Sequence, residues 1–92
     1  MPKSLRTPRQ LCLQSLLVAA RKKKRMTQTQ LAEALGKPQS FVAKYENGER
    51  RIDVIEFVDI AAVLKVVPGD ILAQIGSASD KDKPTARRSR KS

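Results

Sequence analysis

The side chains between Thr27 and Gly48 are the ones equipped to do chemistry in this chain, and the chemistry they offer is hydrogen bonding. The segment reads TQTQLAEALGKPQSFVAKYENG. On a helix opening at Pro38, Gln39, Ser40, Ala43 and Lys44 fall on one arc, and Phe41, Val42 and Tyr45 cluster on the other. An amide, a hydroxyl and an ammonium projecting from one exposed helix edge are groups that can reach the edges of DNA bases. Catalysis finds no comparable set. The sequence has no His, no paired carboxylates in a plausible cleft, and no Gly-rich phosphate loop. Glu33 and Glu46 do not converge on one site, and the acidic residues lack metal-ligand spacing. The single Cys12 forms neither an internal disulfide nor a multi-Cys metal site; among Leu11, Leu13, Leu16 and Leu17 it reads as a small buried apolar residue. The chain is therefore not expected to be an enzyme, and no metal, cofactor or small-molecule site is legible.

The elements that must position those side chains have to fit in a small body. Ninety-two residues make one small domain, and such domains bury only about 60% of their unfolded surface. No apolar run approaches the roughly 20 residues of a membrane span, and the N-terminus lacks a signal-peptide pattern. The expectation is a cytoplasmic protein. Nineteen Lys and Arg against nine Asp and Glu give a net charge of +10. Residues 1–10 carry +3, residues 76–92 carry +4, and the longer middle carries only +3. Within that middle, Arg21 to Arg25 are five consecutive positive charges, whereas Asp53, Glu56 and Asp59 form an acidic stretch. A positive face opposite a negative one would orient the molecule toward a polyanion such as nucleic acid. Basic ends that merely keep a small protein in solution are the plainer alternative.

Five helices are predicted, and no window alternates with the period of a strand. Thr7-Pro8 supplies an N-cap and a first-turn Pro for a helix running to about Lys24, with Leu13, Leu16, Leu17 and Ala20 at helical spacing. Thr27 and Gln30 form a capping-box pattern, Met26 and Leu31 a hydrophobic staple, and Gly36 a stop. Pro38 starts the third helix, which ends at Asn47-Gly48. Asp53 and Glu56 cap the fourth. Its inward stripe is expected at Ile55, Val58, Ala61 and Leu64, broadened by Val54, Phe57 and Ile60. Pro68-Gly69-Asp70 opens a short fifth helix ending at Ile75. From Gly76 onward apolar residues almost vanish, and a disordered basic tail is expected. The division is thus a flexible basic arm at 1–7, a domain at 8–75 and a tail at 76–92.

Two helices joined by a turn of a few residues, with the small Ala32 in the first and Gly36 at the turn, fit a helix-turn-helix. A plain α-hairpin in a helical bundle would show the same apolar positions, so spacing leaves both readings open. The sequence also resembles the Cro/repressor-type helix-turn-helix proteins, the XRE family. The resemblance rests on Arg21, TQTQLAEALG, QSFVAKYENGERR, IAAVL and PGDIL, in that order, and covers roughly residues 16–72. It implies a compact, five-helix, lambda-repressor-like all-α fold that binds double-stranded DNA.

The resemblance also implies roles. Gln39 takes the first base-reading position, where a glutamine amide suits adenine. Ser40, Ala43 and Lys44 are the other base-reading candidates. Gln28 would touch phosphate and brace the first reader. Asn47 and Gly48 through their backbone, with Arg50 and Arg51, would also hold phosphate, and Lys24 and Arg25 are further candidates. Arg21 and Glu46 would form a structural ion pair. Two departures stand out. Pro38 occupies a position where the family often has Ser or Thr, and the basic C-terminal arm is not part of the motif. The function implied is a transcriptional regulator from a bacterium, phage or plasmid, a repressor acting as a homodimer on a palindromic operator. Val66, Val67, Ile71, Leu72 and Ile75 are candidate dimer surface. One alternative is an antitoxin that also binds a protein partner; a weaker one is a nonspecific architectural DNA protein.

Overall fold

A computed structural model describes residues 7–77 as five helices: α1 (Pro8–Lys23), α2 (Gln28–Leu35), α3 (Gln39–Glu46), α4 (Val54–Leu64) and α5 (Pro68–Gly76). The described residues contain no strand, and no helix among them is long and apolar enough to cross a membrane. The proposed N-terminal arm, apart from Thr7, and the tail from residue 78 lie outside the described residues. Helix α5 runs through Gly76, one residue past the expected boundary.

Local chemistry sets the helix starts. The Thr7 hydroxyl accepts the Gln10 N–H at 3.2 Å, and Pro8 fills the first turn of α1. At α2, Thr27 Oγ1 accepts the Gln30 N–H at 3.0 Å while Gln30 Oε1 accepts the Thr27 N–H at 2.9 Å. Asp53 and Glu56 make the same reciprocal box at α4, at 2.7 and 2.9 Å. Each box satisfies two backbone donors that the first turn of a helix cannot satisfy itself.

The helix ends share one device. The α1, α2, α3 and α4 termini each fold over in a six-to-one and five-to-two backbone pair: Met26 to Arg21 with Arg25 to Lys22, Lys37 to Ala32 with Gly36 to Glu33, Glu49 to Lys44 with Gly48 to Tyr45, and Val66 to Ala61 with Lys65 to Ala62. The turning residue adopts positive φ each time, at 59° for Arg25, 69° for Gly36, 78° for Gly48 and 58° for Lys65. Glycine reaches that region without a Cβ penalty; Arg25 and Lys65 do not.

The core joins all five helices. Leu17 of α1, Leu31 and Ala32 of α2, Phe41, Val42 and Tyr45 of α3, Phe57, Ile60 and Leu64 of α4, and Ile71 of α5 are buried together. The Phe41 and Tyr45 rings meet edge to face, with their centres 5.5 Å apart. Cys12 is half-buried and unpaired. Helix α2 packs on α3 and α4, and α1 lies against α5 and α3.

The inward face of α4 differs from the expected one. Phe57, Ile60, Ala61 and Leu64 point to the core, whereas Ile55 is 70% exposed, Val58 45% and Val54 73%. Only Glu56 and Asp59 interrupt the apolar character of this helix, so spacing left its rotation nearly undetermined. The rotation that buries Phe57, Ile60, Ala61 and Leu64 also brings the Glu56 carboxylate to Arg50 in the loop after α3. Because Lys65 has positive φ, Lys65→Gly should raise the unfolding free energy by about 1 kcal/mol. Urea unfolding measures this, and an unchanged or lower midpoint would show that the αL strain is negligible.

Candidate nucleic-acid interface

Arg21, near the end of α1, faces the end of α3. Its Nε donates to Glu46 Oε2 at 2.8 Å and its Nη2 to Glu46 Oε1 at 3.1 Å. A third donor, Nη1, reaches the Met26 carbonyl at 2.8 Å and holds the turn into α2. The two side chains are 12% and 5% exposed. A forked pair withdrawn this far from water is geometrically specific, and hydrogen bonding to Glu46 pushes the Arg21 guanidinium up from its ordinary value.

The carboxylate also orients the polar edge of the domain. Gln28 Nε2 donates to Glu46 Oε1 at 2.9 Å, and Gln39 Nε2 donates to Gln28 Oε1 at 2.8 Å. An ionised carboxylate only accepts, so it fixes which end of the Gln28 amide faces it. The Gln28 oxygen must then face Gln39, and Gln39 must present an N–H to it. What remains on Gln39 is one N–H and the carbonyl oxygen, both on an exposed side chain. Ser40 and Lys44 are exposed beside it, and Ala43 is half-buried. The four residues named as base readers thus line one outward edge of α3, as the periodicity required.

Two helix starts adjoin this edge. Their first N–H groups have no intrahelical acceptor, and the helix dipole adds positive potential there. At α2, Thr27 caps Gln30 and leaves the N–H groups of Gln28 and Thr29 at the surface end. At α3, Pro38 is itself the cap residue and provides no side-chain hydrogen bond. Only Phe41 finds the Pro38 carbonyl, at 2.9 Å. Lys24, Arg25, Asn47 and Arg51 are exposed.

Two expected phosphate contacts are placed differently. The N–H groups of Asn47 and Gly48 close the end of α3, donating to Ala43 at 3.0 Å and Tyr45 at 3.3 Å, and Gly48 is buried. The backbone there has no spare donor for a phosphate; the Asn47 side chain is what it leaves outward. Arg50 is half-exposed and already engaged within the chain. Its Nη1 and Nη2 each donate to Glu56 at 2.9 Å, Nη1 also reaches the Arg51 carbonyl at 2.7 Å, and the guanidinium lies 4.7 Å from the Phe41 ring centre. The pair holds the Arg50 guanidinium above and the Glu56 carboxyl below their ordinary values. Arg50 therefore fastens the α3–α4 loop.

Gln14 is a contributor that the sequence reading missed. Its Nε2 donates to the Glu46 carbonyl at 3.2 Å, and its amide packs so closely on Gly48 that a Cβ there would come within 3.2 Å. Gln14 lies seven residues, two helical turns, before Arg21 on the same face of α1, which was the available signal. Beside this cluster the Tyr45 hydroxyl is buried with no hydrogen-bond partner, and burial pushes its phenol well above the usual range.

A two-helix unit with a Gly36 turn, its second helix braced from below and bearing a free amide edge, is a helix-turn-helix DNA-binding domain. A helix-turn-helix family model matches residues 17–72. A solved structure described as an XRE-family like protein from Pseudomonas syringae pv. tomato str. DC3000 is 44% identical, covers 79% of this chain and 89% of that one, and superposes with a TM-score of 0.72. A search of curated proteins finds no match. The chain belongs to the XRE-type helix-turn-helix family, a class of DNA-binding transcription regulators.

Removing the Glu46 carboxylate would strand Arg21 and release Gln28 together. Glu46→Ala is expected to lose about 3 to 5 kcal/mol of stability, read by chemical denaturation. An unchanged midpoint with binding abolished would mean that Glu46 contacts DNA and does not act as a clamp.

Proposed function

We propose that this protein is a sequence-specific repressor that binds a palindromic operator as a dimer, with α3 in the major groove. The single observation that carries the reading is the orientation of Gln39. Its amide is held at the rear by Gln28, which leaves one donor and one acceptor side by side on the outside. That pair matches the N7 acceptor and N6 donor of adenine. Ser40 and Lys44 extend the same edge, the ammonium being suited to guanine O6 and N7 or to the backbone, and Ala43 is suited to a thymine methyl.

Register would come from phosphates. Gln28 and the amide end of α2, the Asn47 side chain, Lys24, Arg25 and Arg51 are the groups proposed to hold them. Charge supports the assignment. Residues 7–51 carry ten basic and three acidic side chains, a net +7, whereas residues 52–77 carry one basic and four acidic, a net −3. The half bearing α3 is drawn toward DNA and the half bearing α4 and α5 is turned from it. One recognition helix reads only a few base pairs, so two copies on a two-fold site supply the specificity that one lacks.

Gln39→Ala should cost about 1 to 3 kcal/mol of operator affinity and relax preference at one base position. Lys24→Ala should weaken binding to operator and random duplex alike and reduce the salt slope by about one. Fluorescence titrations on both duplexes over a range of salt separate the two. Identical behaviour of the two variants on both DNAs would remove the division between reader and anchor.

A further inference from the structure

The acidic half of the domain concentrates its charge in one place. Three of the four carboxylates in residues 52–77, those of Asp53, Glu56 and Asp59, line a single cleft between α4 and the α2–α3 turn, with Leu35, Phe41 and Ile55 as its apolar walls. The cleft encloses about 220 Å³. Its own cations leave part of that charge unmet. Arg50 occupies Glu56 through two hydrogen bonds, and the Lys37 ammonium sits 5.5 Å from the centre of the Phe41 ring. Asp53 accepts one backbone N–H, from Glu56, and makes no ion pair. Asp59 is exposed, with no hydrogen bond or ion pair to a side chain among the described residues. The exit of the chain lies beside this cleft. Ile75, in the last turn of α5, lines a second, apolar cleft with Asp53 and Val54, so that Asp53 is common to both. Between the two clefts, Val54 and Ile55 stand 73% and 70% exposed. Residues 78–92 follow α5 and carry six basic and two acidic side chains, a net +4; from Lys83 onward every charge is positive. At about 3.3 Å per residue the chain from Ser77 to Arg87 reaches about 33 Å, whereas Asp53 and Asp59 are only about 9 Å apart along their helix.

We propose that residues 83–92 of this chain dock along the start of α4, with Arg87 and Arg88 at the acidic cleft, and that duplex DNA competes with the cleft for them. The docking is independent of the DNA-binding reading above; the competition rests on it. Charge selects the occupant. The segment is attracted by the net −3 of residues 52–77 and repelled by the net +7 of residues 7–51. Its side chains also suit the walls. A lysine or arginine lays its methylenes over Val54, Ile55 and Leu35 while its charged head stays in water at the carboxylates. A guanidinium fork matches an unpaired carboxylate such as that of Asp59. Contacts of this exposed kind are individually weak, so a polyanion displaces them. The cleft thus withholds basic side chains that add affinity for any duplex, and binding DNA must first release them.

A nitroxide attached to the full chain at Ser89→Cys, in a Cys12→Ala background, tests the docking without DNA. In about 20 mM salt, where the Debye length is about 20 Å, it should broaden away the methyl signals of Leu35 and Ile55 and spare those of Leu16 and Val66, which line a cleft between α1 and α5. Raising the salt to about 500 mM, where that length falls to about 4 Å, should restore the lost signals. Asp59→Asn should weaken the broadening while keeping the helical circular dichroism of the parent. No broadening, uniform broadening, or broadening that Asp59→Asn leaves unchanged would overturn the docking. So would equal broadening of an isotope-labelled chain by a separate spin-labelled one, which would put the segment on a second copy. The competition is read by titrating random duplex. Asp59→Asn should tighten binding about threefold more with the tail intact than with Arg87→Ala, Arg88→Ala and Arg90→Ala combined. Equal tightening in both backgrounds would overturn the competition. Should the docking be seen in a chain that binds no duplex, the docking stands, and the competition falls together with the operator reading.

Discussion

The Glu46 carboxylate is the interaction on which the rest of the arrangement depends. One oxygen takes Arg21 Nε, and the other takes Arg21 Nη2 and the Gln28 amide. The backbone carbonyl of the same residue takes Gln14. A single position at the end of α3 thereby ties that helix to two turns of α1 and to the start of α2. The charge has a directional consequence that a neutral group would not have. Because a carboxylate can only accept, it sets the sense of the Gln28 amide and, through it, of Gln39. Fold stability and the chemistry of the outer edge are coupled through one part-buried ion pair.

The rest of the molecule separates two surfaces. Arg50, Glu56, Asp53 and Phe41 form a second cluster that joins the α3–α4 loop to α4 in the rotation it adopts. That rotation decides which apolar residues of α4 enter the core and which stay outside. One part of the domain holds two helix starts with unpaired backbone donors among basic residues; another holds the exposed apolar residues Val54, Ile55 and Val58 of α4. The first suits a polyanion and the second suits a protein surface, and neither overlaps the other in sequence.

Much of this was legible because local chemistry determined it. The capping boxes at Thr27 and Asp53, the Pro8 start and the Gly36 turn need only neighbouring residues to act, and they place four of the five helices within a residue or two. The α3 edge was legible for the same reason: Phe41, Val42 and Tyr45 leave Gln39, Ser40 and Lys44 no other side. What stayed hidden depends on contacts distant in sequence. Helix α4 carries apolar residues around nearly its whole circumference, so no period could choose between Val58 and Ile60 as the inward residue. Arg50 in a basic loop looks like any phosphate anchor until the place of Glu56 is known. Gly48 shows its positive φ in the Asn-Gly pair, but not that its N–H is consumed by Tyr45. Gln14 is one polar residue among leucines, and only the nearness of the α3 end gives it a role.

The most direct test of the central claim, that a braced Gln39 edge reads duplex bases, is selection from random duplex DNA by the purified chain. The account predicts a palindromic consensus with adenine in each half-site, and loss of preference at that adenine alone when the selection is repeated with Gln39→Ala. Enrichment of no sequence at low ionic strength, or a consensus that Gln39→Ala leaves untouched, would contradict it.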